Sequence, residues 1–168
     1  MTVPGVPDLR FLLVGEGPDK AHLQRLAAEQ MLSNVGFLSV RPREQIPALW
    51  SSLDACVVPL RRDTALRFAV PSKLYEAMAT ATPVLSCASP EANALVERVR
   101  AGLAVEPEDA KGLARAVTWL RDHPAEARAM GERGRAYVAS ERSATQVGAQ
   151  FLDVLEGAVR DGPAPTSG

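Results

Sequence analysis

Residues 70–85, Val-Pro-Ser-Lys-Leu-Tyr-Glu-Ala-Met-Ala-Thr-Ala-Thr-Pro-Val-Leu, decide how this chain folds. Pro71 suits the first turn of a helix, and Ser72 is a residue that accepts from free N–H groups there, so a helix is expected over 73–80. Leu74, Ala77 and Met78 recur at helical spacing and form its buried stripe. Pro83-Val84-Leu85-Ser86 then reads as a short buried strand. A helix followed almost at once by a strand is the unit from which the rest of the chain is built.

Downstream, a helix is expected over 91–98 with Leu95 and Val99 facing inward, ended by Gly102, then a strand over 103–105. Asp109 caps a helix carrying Leu113, Val117 and Leu120 at helical spacing, and His123-Pro124 breaks it. Two more helices follow, one running to residue 140 and one over 144–159 with Val147, Phe151, Val154 and Leu155 in one stripe. Upstream, 60–70 reads as a loop, 54–59 as a strand, 45–51 as a helical turn and 35–38 as a strand. Before them, a helix over 20–29 puts Leu23, Leu26 and Ala27 on one face. The apolar run 9–14 is a strand that enters the turn Gly15-Glu16-Gly17-Pro18. Strands alternating with helices imply an α/β fold, a Rossmann-like parallel sheet flanked by helices with right-handed crossovers, and additional C-terminal helices. Residues 1–160 read as one domain, and the Pro, Gly, Ser and Thr of 161–168 as a disordered tail.

The composition narrows function. With 168 residues, 46% hydrophobic and 23% charged, the chain can build an ordinary globular core. A net charge of −1 gives no electrostatic case for nucleic acid. No apolar run approaches the roughly 20 residues that cross a bilayer, and the first residues lack a signal-peptide pattern, so a cytoplasmic chain is expected. Cys56 and Cys87 have neither CxxC nor metal-ligand spacing and read as buried small hydrophobes. His22 and His123 lie in surface-like helical contexts, which makes them poor catalytic candidates, and no GxSxG is present.

Chemistry concentrates at the start of the helix over 73–80. A helix N-terminus is already partly positive, so a lysine in its first turn costs a few tenths of a kcal/mol up to about 1 kcal/mol. That cost becomes a gain if an anion binds there, held by the free N–H groups and the Lys73 ammonium. Glu76, one turn deeper, suits hydrogen bonds from vicinal sugar hydroxyls. Lys73 and Glu76 equally suit a plain i,i+3 surface ion pair worth about 0.2–0.5 kcal/mol.

In their order, six segments resemble glycosyltransferase family 4 of the GT-B superfamily. They are LLVGEGPDKAHLQ at 12–24, NVGFL at 34–38, SSLDACVVPL at 51–60, VPSKLYEAMATATPVL at 70–85, GLAVEPEDAKGLARAV at 102–117 and MGERGRAYV at 130–138. The resemblance implies the donor-binding, C-terminal portion of a retaining enzyme that transfers a sugar from a nucleotide diphosphate-sugar, with no cofactor and no metal required. It implies that Glu76 is the second Glu of an E-x7-E motif, binding the ribose, and that Ser72, Lys73 and Leu74 line the diphosphate. It also implies that Gly15 and Gly17 stand beside the site and that Ser39 and Arg41 lie near the base. No catalytic residue is assigned.

Three departures accompany the resemblance. Phe68 stands eight residues before Glu76, where many members carry the motif's other Glu. Ala81 stands where the family usually has Gly. The chain also opens near what resembles the domain's second strand, so the domain is expected to be incomplete at its N-terminus. Arg61, Arg62 or Arg67 are then candidates to replace missing phosphate-binding cations. Open strand edges imply association with an acceptor-domain polypeptide, self-association or marginal stability. The isolated chain is not expected to turn over. The alternatives are an inactive remnant or interaction module, and a nucleotide-sugar epimerase-like protein. A dinucleotide oxidoreductase fits poorly, because the third Gly of GxGxxG is missing.

Overall fold

A computed structural model describes residues 9–62, 66 and 68–160. They fall into two compact units that divide between Leu49 and Trp50.

The first unit is strand–helix–strand. β1 (Phe11–Val14) pairs in parallel with β2 (Val35–Leu38), Phe11 opposite Val35 and Val14 opposite Leu38, and α1 (Lys20–Glu29) connects them. The turn after β1 needs a glycine, because Gly15 has φ 143° and its N–H donates to Leu38 O at 3.1 Å. A 3-10 turn, Arg43–Gln45, leads into α2 (Ile46–Ser51), which runs across the division.

The second unit is a parallel three-stranded sheet in the order β3-β4-β5, formed by Cys56–Pro59, Val84–Cys87 and Gly102–Ala104. Its helices are α3 (Ser72–Ala79), α4 (Pro90–Val99), α5 (Ala110–Asp122), α6 (Pro124–Glu141) and α7 (Ala144–Arg160). Every residue of β4 is buried, as a central strand covered on both faces requires. One face joins Cys56, Val58 and Val84 to Leu74, Ala77 and Met78 of α3 and to Ala92, Leu95 and Val96 of α4. The other joins Leu85 and Cys87 to Ala116 and Leu120 of α5 and Ala127 of α6. Leu74, Met78, Val84 and Leu85 are each at most 1% exposed, and burial of such side chains stabilises by about 1.5–3 kcal/mol apiece. The buried Ser86 hydroxyl donates to Asn93 Oδ1 at 2.7 Å, and Asn93 Nδ2 donates to Val105 O at 3.1 Å, so α4 satisfies the polar atoms that β4 and the end of β5 bring inside.

Two local readings change. The left-handed residue that ends α4 is Arg100, at φ 55°, rather than Gly102. Gly102 opens β5 and is small for another reason, since a Cβ there would overlap the Val84 backbone. Ser72 does not cap α3. The N-cap is Pro71, with no side-chain cap, and the Ser72 hydroxyl turns instead to Glu76. Ser89 and Asp109 do cap, accepting from Ala92 N at 3.1 Å and Gly112 N at 2.8 Å. Both cysteines are buried and free. The expected tail, 161–168, lies outside the described residues.

Candidate functional site at the start of α3

In a parallel sheet with helical crossovers, the helix that follows a strand starts at that strand's C-terminal end, where α/β folds place ligands. α3 follows β3 in this way. Ser89, the N-cap of α4, donates from its hydroxyl to Ala69 O at 2.6 Å, which pins the segment entering α3 to the C-terminal end of β4.

The first turn of α3 carries donors without acceptors. The Leu74 N–H is bonded to Pro71 O at 3.1 Å, and no side chain caps the N–H groups of Ser72 and Lys73. Lys73 is exposed and makes no ion pair among the described residues. The surface ion pair with Glu76 is therefore not formed. Glu76 is exposed, and its Oε1 accepts from Ser72 Oγ at 3.2 Å. Ser72, Lys73 and Glu76 thus come together on the open side of one helical turn.

Leu74 is a correction: its side chain is fully buried in the core beneath the turn, and its N–H is already bonded, so it has neither left for a ligand. Beneath the same helix, burial pushes the Cys56 thiol up to about 12, with the Glu76 charge adding to the rise and the Lys73 charge opposing it. Burial also raises Cys87, helped by Asp109. Neither thiol is an activated nucleophile.

Arg62, a candidate cation, is already engaged. It lies 3.7 Å from Glu106, its guanidinium donates to Pro107 O at 3.3 Å, and its N–H donates to Glu108 at 3.1 Å. Arg61 is exposed, and Arg67 lies outside the described residues. Phe68, eight residues before Glu76, is an apolar ring 68% exposed. His123 stacks on Trp119 at 4.3 Å with Nδ1 2.8 Å from Trp119 O, a structural placement.

In the first unit, the structure joins three of the four candidates. The Gly15–Gly17 turn and Ser39 lie at the C-terminal ends of β1 and β2, linked through Glu16. Lys20 Nζ donates to Glu16 Oε1 at 2.7 Å and to Leu38 O at 3.5 Å. Those bonds, Lys20 first and Ser39 second, hold the Glu16 carboxyl below its usual value. Arg41 is exposed and outside this network. Sequence reasoning missed Lys20, and it missed Tyr137, which gathers Arg98 and Arg142 from separate stretches of chain. Only folding brings those partners together.

Among the described residues no group of His, Cys, Asp and Glu could hold a metal, and no helix is long and apolar enough to cross a membrane.

Residues 2–123 match the family model described as glycosyl transferases group 1. The chain is 33% identical over 138 residues to 2-deoxystreptamine glucosyltransferase of Streptomyces kanamyceticus, covering 80% of this chain and 34% of that protein. It is 31% identical over 155 residues to a GDP-mannose-dependent alpha-(1-6)-phosphatidylinositol monomannoside mannosyltransferase of Mycolicibacterium smegmatis, covering 90% and 41%. Anabaena HepE, solved in complex with UDP-glucose, superposes with a TM-score of 0.76 at 20% identity, covering 90% of this chain and 42% of that one. The chain therefore spans between a third and a half of each of these three proteins, and its fold is that of GT-B glycosyltransferases.

Proposed function

The chain belongs to the glycosyl transferases group 1 family, and we propose on that footing that the start of α3 holds the diphosphate of a nucleotide-sugar donor in a retaining sugar transfer. The observation that carries this reading is the uncapped first turn of α3, with free N–H groups, an unpaired Lys73 and a carboxylate one turn deeper. As the sugar leaves, negative charge grows on the diphosphate. Fixed amide donors and the Lys73 ammonium stabilise it without reorganising. Glu76, steadied by the Ser72 hydroxyl, accepts from vicinal hydroxyls of the ribose. In the first unit we propose Gly15, Gly17, Ser39 and Arg41 as a nucleotide-facing edge, on the family resemblance. The reaction as proposed uses no metal and no cofactor, proceeds in the cytoplasm, and takes its acceptor on a further polypeptide, so that the chain by itself binds donor without turnover.

Calorimetric titration with UDP, GDP and ADP tests this. These probes suit a chain whose relatives include a GDP-mannose-dependent enzyme and whose structural neighbour holds UDP-glucose. One nucleotide is expected to bind saturably, and Glu76→Ala to weaken it about tenfold or more, the value of a hydrogen bond to a charged group. A folded chain that binds none of the three overturns the reading. A second reading, a remnant that keeps the fold without turnover, is favoured by the exposed Phe68 in place of a carboxylate. Donor binding without turnover, even after a relative's other half is supplied, selects it.

A further inference from the structure

Away from the start of α3, the last turn of α4 and the end of α6 meet around one phenol. Arg98 Nη2 donates to Tyr137 Oη at 3.4 Å, and Arg142 Nε donates to the same oxygen at 3.2 Å. The Arg98 guanidinium also lies over the ring, 5.5 Å from its centroid. Next to them, Arg133, one turn before Tyr137, donates to Arg100 O at 2.9 Å.

The cluster is short of acceptors. The phenol oxygen spends its lone pairs on two guanidiniums, which leaves the O–H as a donor with no acceptor among the described residues. Each guanidinium has further N–H groups beyond the one it uses. None of Arg98, Arg100, Arg133 and Arg142 forms an ion pair among the described residues, whereas Lys20, Arg62, Arg115, Arg121 and Arg135 do. The C-terminal ends of α4 and α6 offset part of the positive charge, about half a unit each, and Glu141 acts on Arg142 through space only. Burial by itself would raise the Tyr137 phenol, yet the bonds from Arg98 and Arg142 outweigh it and hold the group below its ordinary value. The local field thus favours negative charge on an oxygen.

We propose that Arg98, Tyr137 and Arg142 form a second binding site, specific for a phosphate-class oxyanion. Two guanidinium forks and a hydroxyl converge from separate directions, which suits a tetrahedral anion with several oxygens better than a flat carboxylate with two. All three side chains are at least partly exposed, so the site is open. The phosphate belongs either to a soluble phosphate ester or to a lipid headgroup. The second source has a physical basis in α7, which starts two residues beyond Arg142 and leaves Phe151 63% and Val154 68% exposed.

The test uses the full chain, following arginine Nε–H resonances by NMR during titration with inorganic phosphate. Saturable shifts at Arg98 and Arg142 are expected. The Arg98→Gln/Arg142→Gln double variant should weaken binding about a hundredfold or abolish it, because both charge-assisted contacts go. Tyr137→Phe, which keeps the ring in place, should weaken it about tenfold through loss of one hydrogen bond to a charged group. Lys73→Gln should leave the response intact, which separates this site from the start of α3. Sedimentation with vesicles of phosphatidylcholine, with and without phosphatidylglycerol, distinguishes the sources. Capture by the anionic vesicles that the double variant loses identifies a headgroup, and saturable phosphate binding without capture identifies a soluble ester. No saturable shift in a folded chain, shifts that survive the double variant, or shifts that Lys73→Gln abolishes would each overturn the proposal.

Discussion

The unit around β1 and β2 and the unit around β3, β4 and β5 both build parallel strands joined through helices, and they differ in what they bury. None of the described residues from 9 to 49 is buried, and Leu12, Val14 and Leu26 are 37–41% exposed. In the other unit, β4 is buried along its whole length, and twelve residues of β3, β4, α3, α4 and the turns between them are at most 2% exposed. Two strands with one helix cannot enclose a side chain from both sides. Three strands with helices on both faces can. The same alternation of elements therefore gives a self-supporting core in one unit and a half-covered layer in the other.

Four substitutions would break or sharpen that contrast. A large effect is expected from Gly131→Ala, since a Cβ there would overlap the Ala81 carbonyl where α6 crosses the turn before β4. Overpacking a backbone contact of this kind should cost about 3 kcal/mol, seen as a lower midpoint in chemical denaturation. Hydrogen exchange should then quicken in β3–β5 and leave β1 and β2, already fast, little changed. Equal slowing or quickening in both units would show a single cooperative body and break the contrast.

Leucine truncation measures the same difference with one chemistry. Leu74→Ala should destabilise by about 2–5 kcal/mol, whereas Leu26→Ala, at a position 37% exposed, should cost about 1 kcal/mol or less. Similar losses in urea denaturation would mean that α1 carries burial the structure does not show.

The smallest effect is a gain. Ala81 holds φ 57°, a left-handed conformation that glycine adopts without strain. Ala81→Gly should raise the denaturation midpoint by an amount equivalent to about 1 kcal/mol, confined to the unit with the core. No gain would mean that the turn's bonds already outweigh the strain of the alanine.

Much of the fold was legible because its elements announce themselves locally. The apolar run at 9–14, the turn at Gly15 and the capping residue Asp109 are readable within a few residues, and the strand Phe11–Val14 lies inside that run. Ser72 misled for the same reason: as a local cap it was plausible, but Glu76, one helical turn on, offers the hydroxyl a better acceptor. Gly102 misled in a second way. Its need to be small comes from Val84, eighteen residues back, and not from ending α4.

Sequence by itself determined the alternation of elements, the parallel α/β class, the apolar stripe of α3 and the placing of Ser72, Lys73 and Glu76 within one turn, because each depends on periodicity or on partners three or four residues apart. Only the tertiary structure decided that Leu74 is lost to the core, that Arg62 is held by the loop after β5, that Gly131 must admit the Ala81 carbonyl, and that Arg98 and Arg142 share Tyr137. Those outcomes depend on distance in space between residues far apart in the chain, which local spacing does not encode until the sheet and its helices close around β4.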